Sequence, residues 1–266
     1  MQANVLLVDL GNSRCKSRLL QQAPTGQYSW GRLTLSDDPF SLIDSIADVS
    51  EIYVASVRDA AFNHKLQLHC QQQNIAFHLI QTEKQAFGLV NSYQVVSKMG
   101  VDRWLAMLGA QILVESDFLV IDAGTAITCD AVFEQHHIGG WIAPGYTLLR
   151  KAVTANTARV SEADIEDASI NWGQDTEACL HFGCIAQLHG LVQQASALMQ
   201  NHTSEFQTVI SGGDADLLKS ASSSGLKKPP RFIDNIVMFG LLRFALKDLP
   251  FSQIKFVAHA LSKSLD

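Results

Sequence analysis

The order of hydrophobic and polar positions in the first 80 residues predicts alternating strands and helices. Five apolar runs have the composition of strands, and two other segments carry apolar residues at helical spacing. The predicted strands cover 4–8, 15–20, 27–35, 51–57 and 75–80, and the predicted helices cover 42–49 and 61–73. Because a helix between two strands usually joins parallel neighbours, the pattern indicates an α/β fold.

The same kind of pattern continues towards the C-terminus. A helix is predicted from about Asp102 to 114, because apolar residues recur there at helical spacing. The range 117–133 is predicted to hold a strand and a second β-like stretch, and 137–149 a strand that enters a helix. A long amphipathic helix is predicted in 176–200. The range 208–218 reads as a strand, a Gly-Gly turn and the start of a helix.

Two of the predicted strands end in the same short motif. The sequence DLGNS at 9–13 ends the first strand, and DAGT at 122–125 ends another strand 113 positions later. Each motif is followed by β-like sequence. Two such turns at matching positions indicate a duplicated half-domain, so we expect two similar halves with a nucleotide cleft between them.

The residue types in these turns suit a nucleotide and its cations. Glycine lets the backbone approach phosphate oxygens closely, and the hydroxyls of Ser13 and Thr125 can donate hydrogen bonds to them. Asp9 and Asp122 offer the hard oxygen ligands that Mg²⁺ and monovalent cations take, and Lys16 adds a point positive charge. The alternative is two unrelated turns, the first of them a hairpin turn with exposed basic residues.

Length, composition and net charge exclude several classes of protein. The 266 residues suffice for one large domain or two of about 100 to 150 residues, and 47% hydrophobic content indicates a sizeable core. A net charge of −6 argues against a general nucleic-acid binder. With no signal-peptide pattern, no apolar stretch of membrane-spanning length and five cysteines without CxxC spacing, a reduced cytoplasmic protein is expected.

The segment GVDRW at 100–104 has two interpretations. Aspartate is a common N-cap residue, so Asp102 could simply begin the predicted helix. Alternatively, Asp102 and Arg103 lie at the mouth of the cleft as a carboxylate base beside an anion-binding guanidinium. From this segment alone, the capping interpretation is favoured.

Six segments, taken in this order, resemble the type III pantothenate kinases. They are DLGNSRCK (9–16), GVDRW (100–104), DAGTAITCD (122–130), GGWIAPG (139–145), SGGDA (211–215) and NIVMFGL (235–241). GxDR together with DxGTAxTxD is specific to this family within the superfamily of acetate and sugar kinases, Hsp70 and actin. The resemblance implies two duplicated ribonuclease H-like half-domains, which we place at 1–114 and 115–266.

The resemblance also implies roles for individual residues, and it reverses the preference on Asp102, which becomes the general base. The implied ATP-binding residues are Asp9, Gly11, Asn12, Ser13, Lys16 and Thr125, with Mg²⁺ near Asp9 through the phosphates. The implied pantothenate-binding residues are Tyr93, Gly100, Val101, Asp102, Arg103 and Thr176. Asp122 matches the ligand of a monovalent cation, potassium or ammonium, and Thr176 matches a residue that reaches pantothenate across a dimer interface.

The activity implied is transfer of the ATP γ-phosphoryl group to pantothenate, giving 4'-phosphopantothenate for coenzyme A biosynthesis. One alternative is a non-catalytic regulatory accessory protein of the same fold, and another is a different small-molecule kinase of the superfamily. The resemblance further implies a homodimer. One face of the predicted helix 176–200 is apolar, and we expect it at the dimer interface. The alternative is that this face is buried in the core of its own chain. Its residues are Leu180, Cys184, Leu188, Leu191 and Ala195.

Overall fold

The computed structural model describes residues 4–11, 15–157, 159–161, 163, 165–223 and 227–263. In chain order the strands are β1 (Asn4–Leu10), β2 (Cys15–Gln22), β3 (Tyr28–Trp30), β4 (Thr34–Ser36), β5 (Val49–Ser56), β6 (Ala76–Ile80), β7 (Gln85–Ala86), β8 (Leu89–Val90), β9 (Asp117–Ala123), β10 (Ala126–Phe133), β11 (His136–Pro144), β12 (Phe206–Ser211) and β13 (Arg231–Phe232). The α-helices are α1 (Pro39–Asp44), α2 (Ala60–Gln72), α3 (Val101–Leu113), α4 (Tyr146–Thr154), α5 (Thr176–Met199), α6 (Ile236–Ala245) and α7 (Phe251–Lys263).

Packing divides the chain into two compact units. Unit 1 comprises Met1–Phe87, Tyr93–Leu113 and Ile236–Asp266, and unit 2 comprises Gly88–Ser92 and Val114–Asn235. The second half expected from the sequence, 115–266, differs from unit 2 at its end, because 236–266 packs in unit 1.

The close approach of α6 to α3 explains why the C-terminal helices pack in unit 1. A Cβ added to Gly109 would lie 3.0 Å from the backbone nitrogen of Gly240, and one added to Gly240 would overlap the carbonyl oxygen of Leu105. Glycine on both helices therefore lets the two backbones meet. Most of α6 is buried in this arrangement.

The sheet of unit 1 has the strand order β3-β2-β1-β5-β6, with β4 also paired to β2. β1 runs antiparallel to β2 and parallel to β5, and β5 runs parallel to β6. Leu6 and Val8 of β1 pack with Leu42 of α1, Ile52 of β5 and Leu66 of α2 in one buried cluster. The parallel strands therefore end at one edge of the sheet, beside the turn that follows β1.

The sheet of unit 2 repeats this arrangement, with the order β11-β10-β9-β12-β13 and β8 added beside β11. β9 is antiparallel to β10 and parallel to β12, as β1 is to β2 and β5. Asp9 and Asp122 are the penultimate residues of β1 and β9, which occupy equivalent positions in the two sheets. The prediction of a duplicated α/β half-domain is confirmed.

Several element boundaries differ from the predictions. The strand predicted over 27–35 is divided into β3 and β4, because residues 31–33 lie opposite only residues 18 and 19 of β2, and the extra residue interrupts the ladder. The helix predicted over 42–49 begins earlier, at Pro39, because the Asp38 carboxylate caps it by accepting from the N–H of Phe40.

The described helices include none with both the length and the apolar character needed to cross a lipid bilayer.

Candidate functional site

The first Asp-Gly turn leaves β1 at the sheet edge of unit 1. Asp9 and Lys16 lie opposite each other in the β1–β2 ladder and are both partly exposed. The carbonyl of Leu10 accepts from the N–H of Val57 at 3.2 Å, and the carbonyl of Gly11 accepts from Nε of Arg58 at 2.8 Å. The remaining residues expected in this turn, Asn12 and Ser13, lie outside the described residues.

Cys15 begins β2 directly after this turn. Its side chain is buried, and burial, with a smaller contribution from the Asp9 charge, raises the pKa of the Cys15 thiol to about 12. Because a thiol reacts as the thiolate, Cys15 is an unreactive structural residue at neutral pH.

The GVDR segment forms the start of α3 in unit 1. The helix begins at Val101, and the carbonyl of Gly100 accepts from the N–H of Trp104 at 3.2 Å. Asp102 therefore lies within the first turn, so the interpretation of Asp102 as the N-cap is wrong. Its Oδ1 accepts from the N–H of Arg103 at 2.9 Å. A Cβ at Gly100 would overlap this oxygen, so the Asp102 carboxylate would have to shift if residue 100 carried a side chain.

Arg103 and Tyr93 are brought together although they are ten positions apart. Nη1 of Arg103 donates to the Tyr93 hydroxyl at 2.8 Å, and the guanidinium carbon lies 5.7 Å from the centre of the Tyr93 ring. Arg103 is only 5% exposed, whereas Tyr93 is partly exposed. The pair holds a cation and a phenol in fixed contact at the residue that directly follows Asp102.

A cavity of about 440 Å³ adjoins this segment in unit 1. It is lined by the ends of two parallel strands and by the start of α3, including Ser56, Ile80, Thr82, Gly100 and Val101. Its mixed lining suits a small molecule that carries both polar and apolar groups.

The second Asp-Gly turn follows β9 in unit 2. The N–H of Gly124 donates to the carbonyl of Ala126 at 3.1 Å, and the N–H of Gly145 donates to the carbonyl of Thr125 at 3.0 Å. A Cβ on Gly145 would overlap the Gly124 carbonyl, so glycine is needed where GGWIAPG meets the turn. Asp122 is partly exposed, and Thr125 is exposed.

The SGGDA segment also packs against the second turn. Gly212 has a φ of +103°, and a Cβ there would overlap the carbonyl of Ala123. The N–H of Asp214 donates to the same carbonyl at 2.9 Å, and burial raises the pKa of the Asp214 carboxyl above its usual range. Asp214 was not among the predicted site residues, and the sequence signal that could have found it is an acidic residue directly after the Gly-Gly turn.

A polar group in unit 2 was also missed. Nε2 of His137 lies 2.9 Å from Oδ1 of Asp130, and Nδ1 lies 2.9 Å from the Ser92 hydroxyl. His137 and Asp130 are fully buried. Since substrate has no access to the imidazole, we assign this group to holding β8 beside β11.

Thr176 is the first residue of α5 in unit 2 and is exposed. Asp175 caps this helix by accepting from the N–H of Ala178 at 2.7 Å. The apolar face expected at a dimer interface is not free, because Cys184, Leu188 and Ala195 are buried. The opposite, exposed face has small residues at helical spacing: Cys179, Gly183, Ala186, Gly190 and Ala197.

The donor set at the two turns fits hard cations. Asp9 and Asp122 each present a partly exposed carboxylate at the end of a strand, beside a glycine turn. Carboxylate oxygens are the ligands that Mg²⁺ and alkali cations prefer.

Comparison with known sequences finds a consistent family. The model of the type III pantothenate kinase family matches residues 5–197. A type III pantothenate kinase of Pseudoalteromonas atlantica is 33% identical over 247 residues, covering 91% of this chain and 98% of the relative. One of Cellvibrio japonicus is 32% identical over 253 residues, covering 90% and 98%.

Two solved structures share the fold. A Sinorhizobium meliloti protein assigned as a 2-dehydro-3-deoxygalactonokinase has a TM-score of 0.59 at 15% identity, covering 92% of this chain and 99% of that one. A Campylobacter jejuni protein assigned to the Baf family of transcriptional activators has a TM-score of 0.57 at 19% identity, covering 91% and 98%.

Proposed function

The chain belongs to the type III pantothenate kinase family and phosphorylates pantothenate with ATP in coenzyme A biosynthesis, and on this premise we propose how its residues divide the reaction. The observation that carries the proposal is the start of α3, where Asp102 directly precedes the buried Arg103, whose guanidinium donates to Tyr93. A base next to an anchored cation is the arrangement that a kinase of a small anionic alcohol needs.

We propose that Asp102 orients the primary hydroxyl of pantothenate and accepts its proton late in the transfer. The transition state of phosphoryl transfer is loose, so catalysis consists mainly of positioning and charge stabilisation. Gly100 supports this role, because the absence of a Cβ leaves space for the Asp102 carboxylate.

Arg103 and Tyr93 are proposed to bind the substrate in the same place. Arg103 keeps a fixed orientation through its contact with the Tyr93 hydroxyl, and a fixed guanidinium suits a carboxylate or phosphate group. Gly100 and Val101 line the adjoining cavity and complete the proposed pantothenate contacts in unit 1.

ATP is proposed to bind at the two Asp-Gly turns, through Asp9, Gly11, Asn12, Ser13, Lys16 and Thr125. Kinases of this family use ATP with a divalent metal, and Asp9 would hold Mg²⁺ through the phosphates. Asp122 would hold potassium or ammonium. When bound, these cations supply positive charge that offsets the charge of the phosphates; Lys16 supplies the same from the chain itself.

The enzyme is proposed to act as a cytoplasmic homodimer in which Thr176 reaches the pantothenate of the neighbouring subunit. The exposed position of Thr176 at the start of α5 and the exposed small residues along that helix support the dimer. The five free cysteine thiols are in keeping with a reducing compartment.

Pantothenate-dependent formation of ADP by the purified protein tests the assignment. With Mg²⁺ and potassium present, ADP formation should require pantothenate and should not respond to acetate or sugars. Replacing potassium by sodium should slow the reaction, and Asp122→Asn should weaken that difference. Equal rates with and without pantothenate would refute the kinase activity, while equal rates in sodium and potassium would refute the cation role alone.

A further inference from the structure

Arg58 lies two residues after the end of β5, at the sheet edge where the first Asp-Gly turn leaves β1. Its Nε donates to the carbonyl of Gly11 at 2.8 Å, and the neighbouring Val57 donates its N–H to the carbonyl of Leu10. The segment after β5 therefore holds the backbone at Leu10 and Gly11, where β1 ends.

The backbone of Arg58 is itself held in place by a compact polar network. Its N–H donates to the hydroxyl of Ser56 at 3.1 Å, and its carbonyl accepts from Nδ2 of Asn63 at 3.3 Å. Ser56 in turn donates to Oδ1 of Asn63 at 2.7 Å. The guanidinium carbon lies 5.7 Å from the centre of the Phe62 ring. A side chain with this support loses little freedom when it binds a ligand.

The charge of Arg58 is not neutralised within the part of the chain that the structure describes. The carbonyl of Gly11 accepts the Nε hydrogen, and the guanidinium lies over the Phe62 ring. No described carboxylate forms an ion pair with Arg58. The four hydrogens on its two Nη atoms have no hydrogen-bond acceptor among the described residues. Burial raises the pKa of the Cys15 thiol and is the largest cause of the shift, while the positive charge of Arg58 acts in the opposite direction. The electrostatic field of Arg58 therefore reaches Cys15 in β2.

Two adjoining cavities connect Arg58 with the GVDR segment in unit 1. Arg58 and His64 line one of about 450 Å³, and Lys98, Gly100 and Val101 line the other, of about 440 Å³. The two share the side chains of Asn63, Leu79 and Gln81 as lining. Their described linings contain basic side chains and no carboxylate, which favours an anion.

We propose that Arg58 is a further phosphate-binding residue of this kinase, whose Nε holds the first Asp-Gly turn and whose Nη groups donate to phosphate oxygens of ATP. The inference rests on the proposed function of that turn. A guanidinium suits this task because its planar fork of donors can bind two phosphate oxygens at once. Arg58 keeps its proton throughout, so its contribution is to binding and charge stabilisation.

Nucleotide binding without pantothenate tests this role directly. Binding of the non-hydrolysable analogue β,γ-imido-ATP with Mg²⁺ and of adenosine is measured by calorimetry for the unmodified protein, Arg58→Gln and Arg58→Lys. Because Arg58→Gln loses hydrogen bonds between charged groups, its affinity for the analogue should fall about tenfold to a hundredfold. Its affinity for adenosine should stay within about twofold of that of the unmodified protein. The affinity of Arg58→Lys for the analogue should lie between those of the unmodified protein and Arg58→Gln, because lysine keeps the charge. Arg32→Gln is the control, because Arg32 is exposed in the same unit.

The outcomes separate the possible roles of Arg58. Equal weakening of the analogue and adenosine would mean that Arg58 only supports the structure, and this would overturn the inference. So would an Arg58→Gln protein that binds the analogue as Arg32→Gln does. In turnover, the KM for ATP should rise while the KM for pantothenate stays unchanged. A failure of the proposed function would appear separately, as absent pantothenate-dependent ADP formation by the unmodified protein.

Discussion

Asp102 lies inside the first turn of α3 and is not its N-cap. A substitution there can therefore test the role of the carboxylate in the reaction without removing the cap of the helix. Asp102→Asn keeps the shape and the acceptor for the Arg103 N–H but removes the proton acceptor. A positioned base contributes about 10²- to 10⁴-fold, so turnover should fall by at least about a hundredfold. Melting temperature and nucleotide affinity should change little, as checked by calorimetry. Near-normal turnover would assign the base to another residue.

The control for Asp102 is Asp59→Asn in the same unit. Asp59 caps α2 by accepting from the N–H of Phe62 at 2.8 Å, and asparagine caps about as well as aspartate. This change removes a carboxylate of similar position at a helix start, so it should leave turnover and melting temperature nearly unchanged.

Asp214 carries a charge whose cost depends on pH. Burial raises its pKa in the folded state, so its contribution to stability is fully present below the unfolded-state value of about 3.9 and is lost as pH rises through the folded-state pKa. Asp214→Asn removes the buried charge. The melting temperature of the variant should therefore exceed that of the unmodified protein at pH 7, and the difference should shrink towards pH 4.

Thermal scans between pH 4 and pH 8 check this trend. Asp216→Asn is the matched variant, because it removes the same charge from an exposed side chain of the same segment. A difference for Asp214→Asn that is constant over this range would show that burial of the charge does not limit stability.

At the scale of elements, the contact between α3 and α6 depends on the absence of side chains at two positions. In an open helix, Gly→Ala stabilises by roughly 0.5–1 kcal/mol. At Gly240 the added methyl group would meet the Leu105 carbonyl, and overpacking costs about 1–3 kcal/mol. Gly240→Ala should therefore lower the free energy of unfolding, measured by urea denaturation.

The opposite result is expected for Gly190→Ala in α5. A Cβ at Gly190 meets no atom of its own chain within 4 Å. Because Gly190 lies on the proposed dimer face, the comparison is made at a protein concentration below that at which the dimer forms, where the gain in helix propensity should appear without a steric penalty. If Gly240→Ala did not lower the free energy of unfolding, the close approach of α6 to α3 would not be what fixes the C-terminal helices in unit 1.

At the scale of the whole molecule, assembly is predicted to use the exposed small-residue face of α5. A Cβ at Gly183 meets nothing within 4 Å, so Gly183→Arg should leave the fold of the chain intact while placing a large charged side chain on this face. Sedimentation should show a dimer for the unmodified protein and a monomer for the variant, with lost activity because Thr176 no longer reaches the neighbouring site. A variant that remains a dimer would place the interface elsewhere.

Local sequence determined most of the secondary structure and the framework of the site. The apolar runs before Asp9 and Asp122 are strands, and the segments from 101 and from 176 are helices, because strand and helix periodicity are local properties of the chain. The repeated Asp-Gly motif indicated the duplication, since the same turn chemistry follows equivalent strands. The DAGTAITCD and GVDR motifs identified the family for the same reason: they are short and contiguous.

Only the tertiary structure decided which surfaces these elements bury. Periodicity marks a face as apolar but does not name its partner, so the face of α5 that includes Leu188 proved to be core, and α6 joined unit 1. The Arg58–Gly11 and Arg103–Tyr93 contacts join residues 47 and 10 positions apart. Such contacts exist only after the sheet and helices have packed, because side-chain hydrogen bonds between separate segments depend on where the whole chain places them.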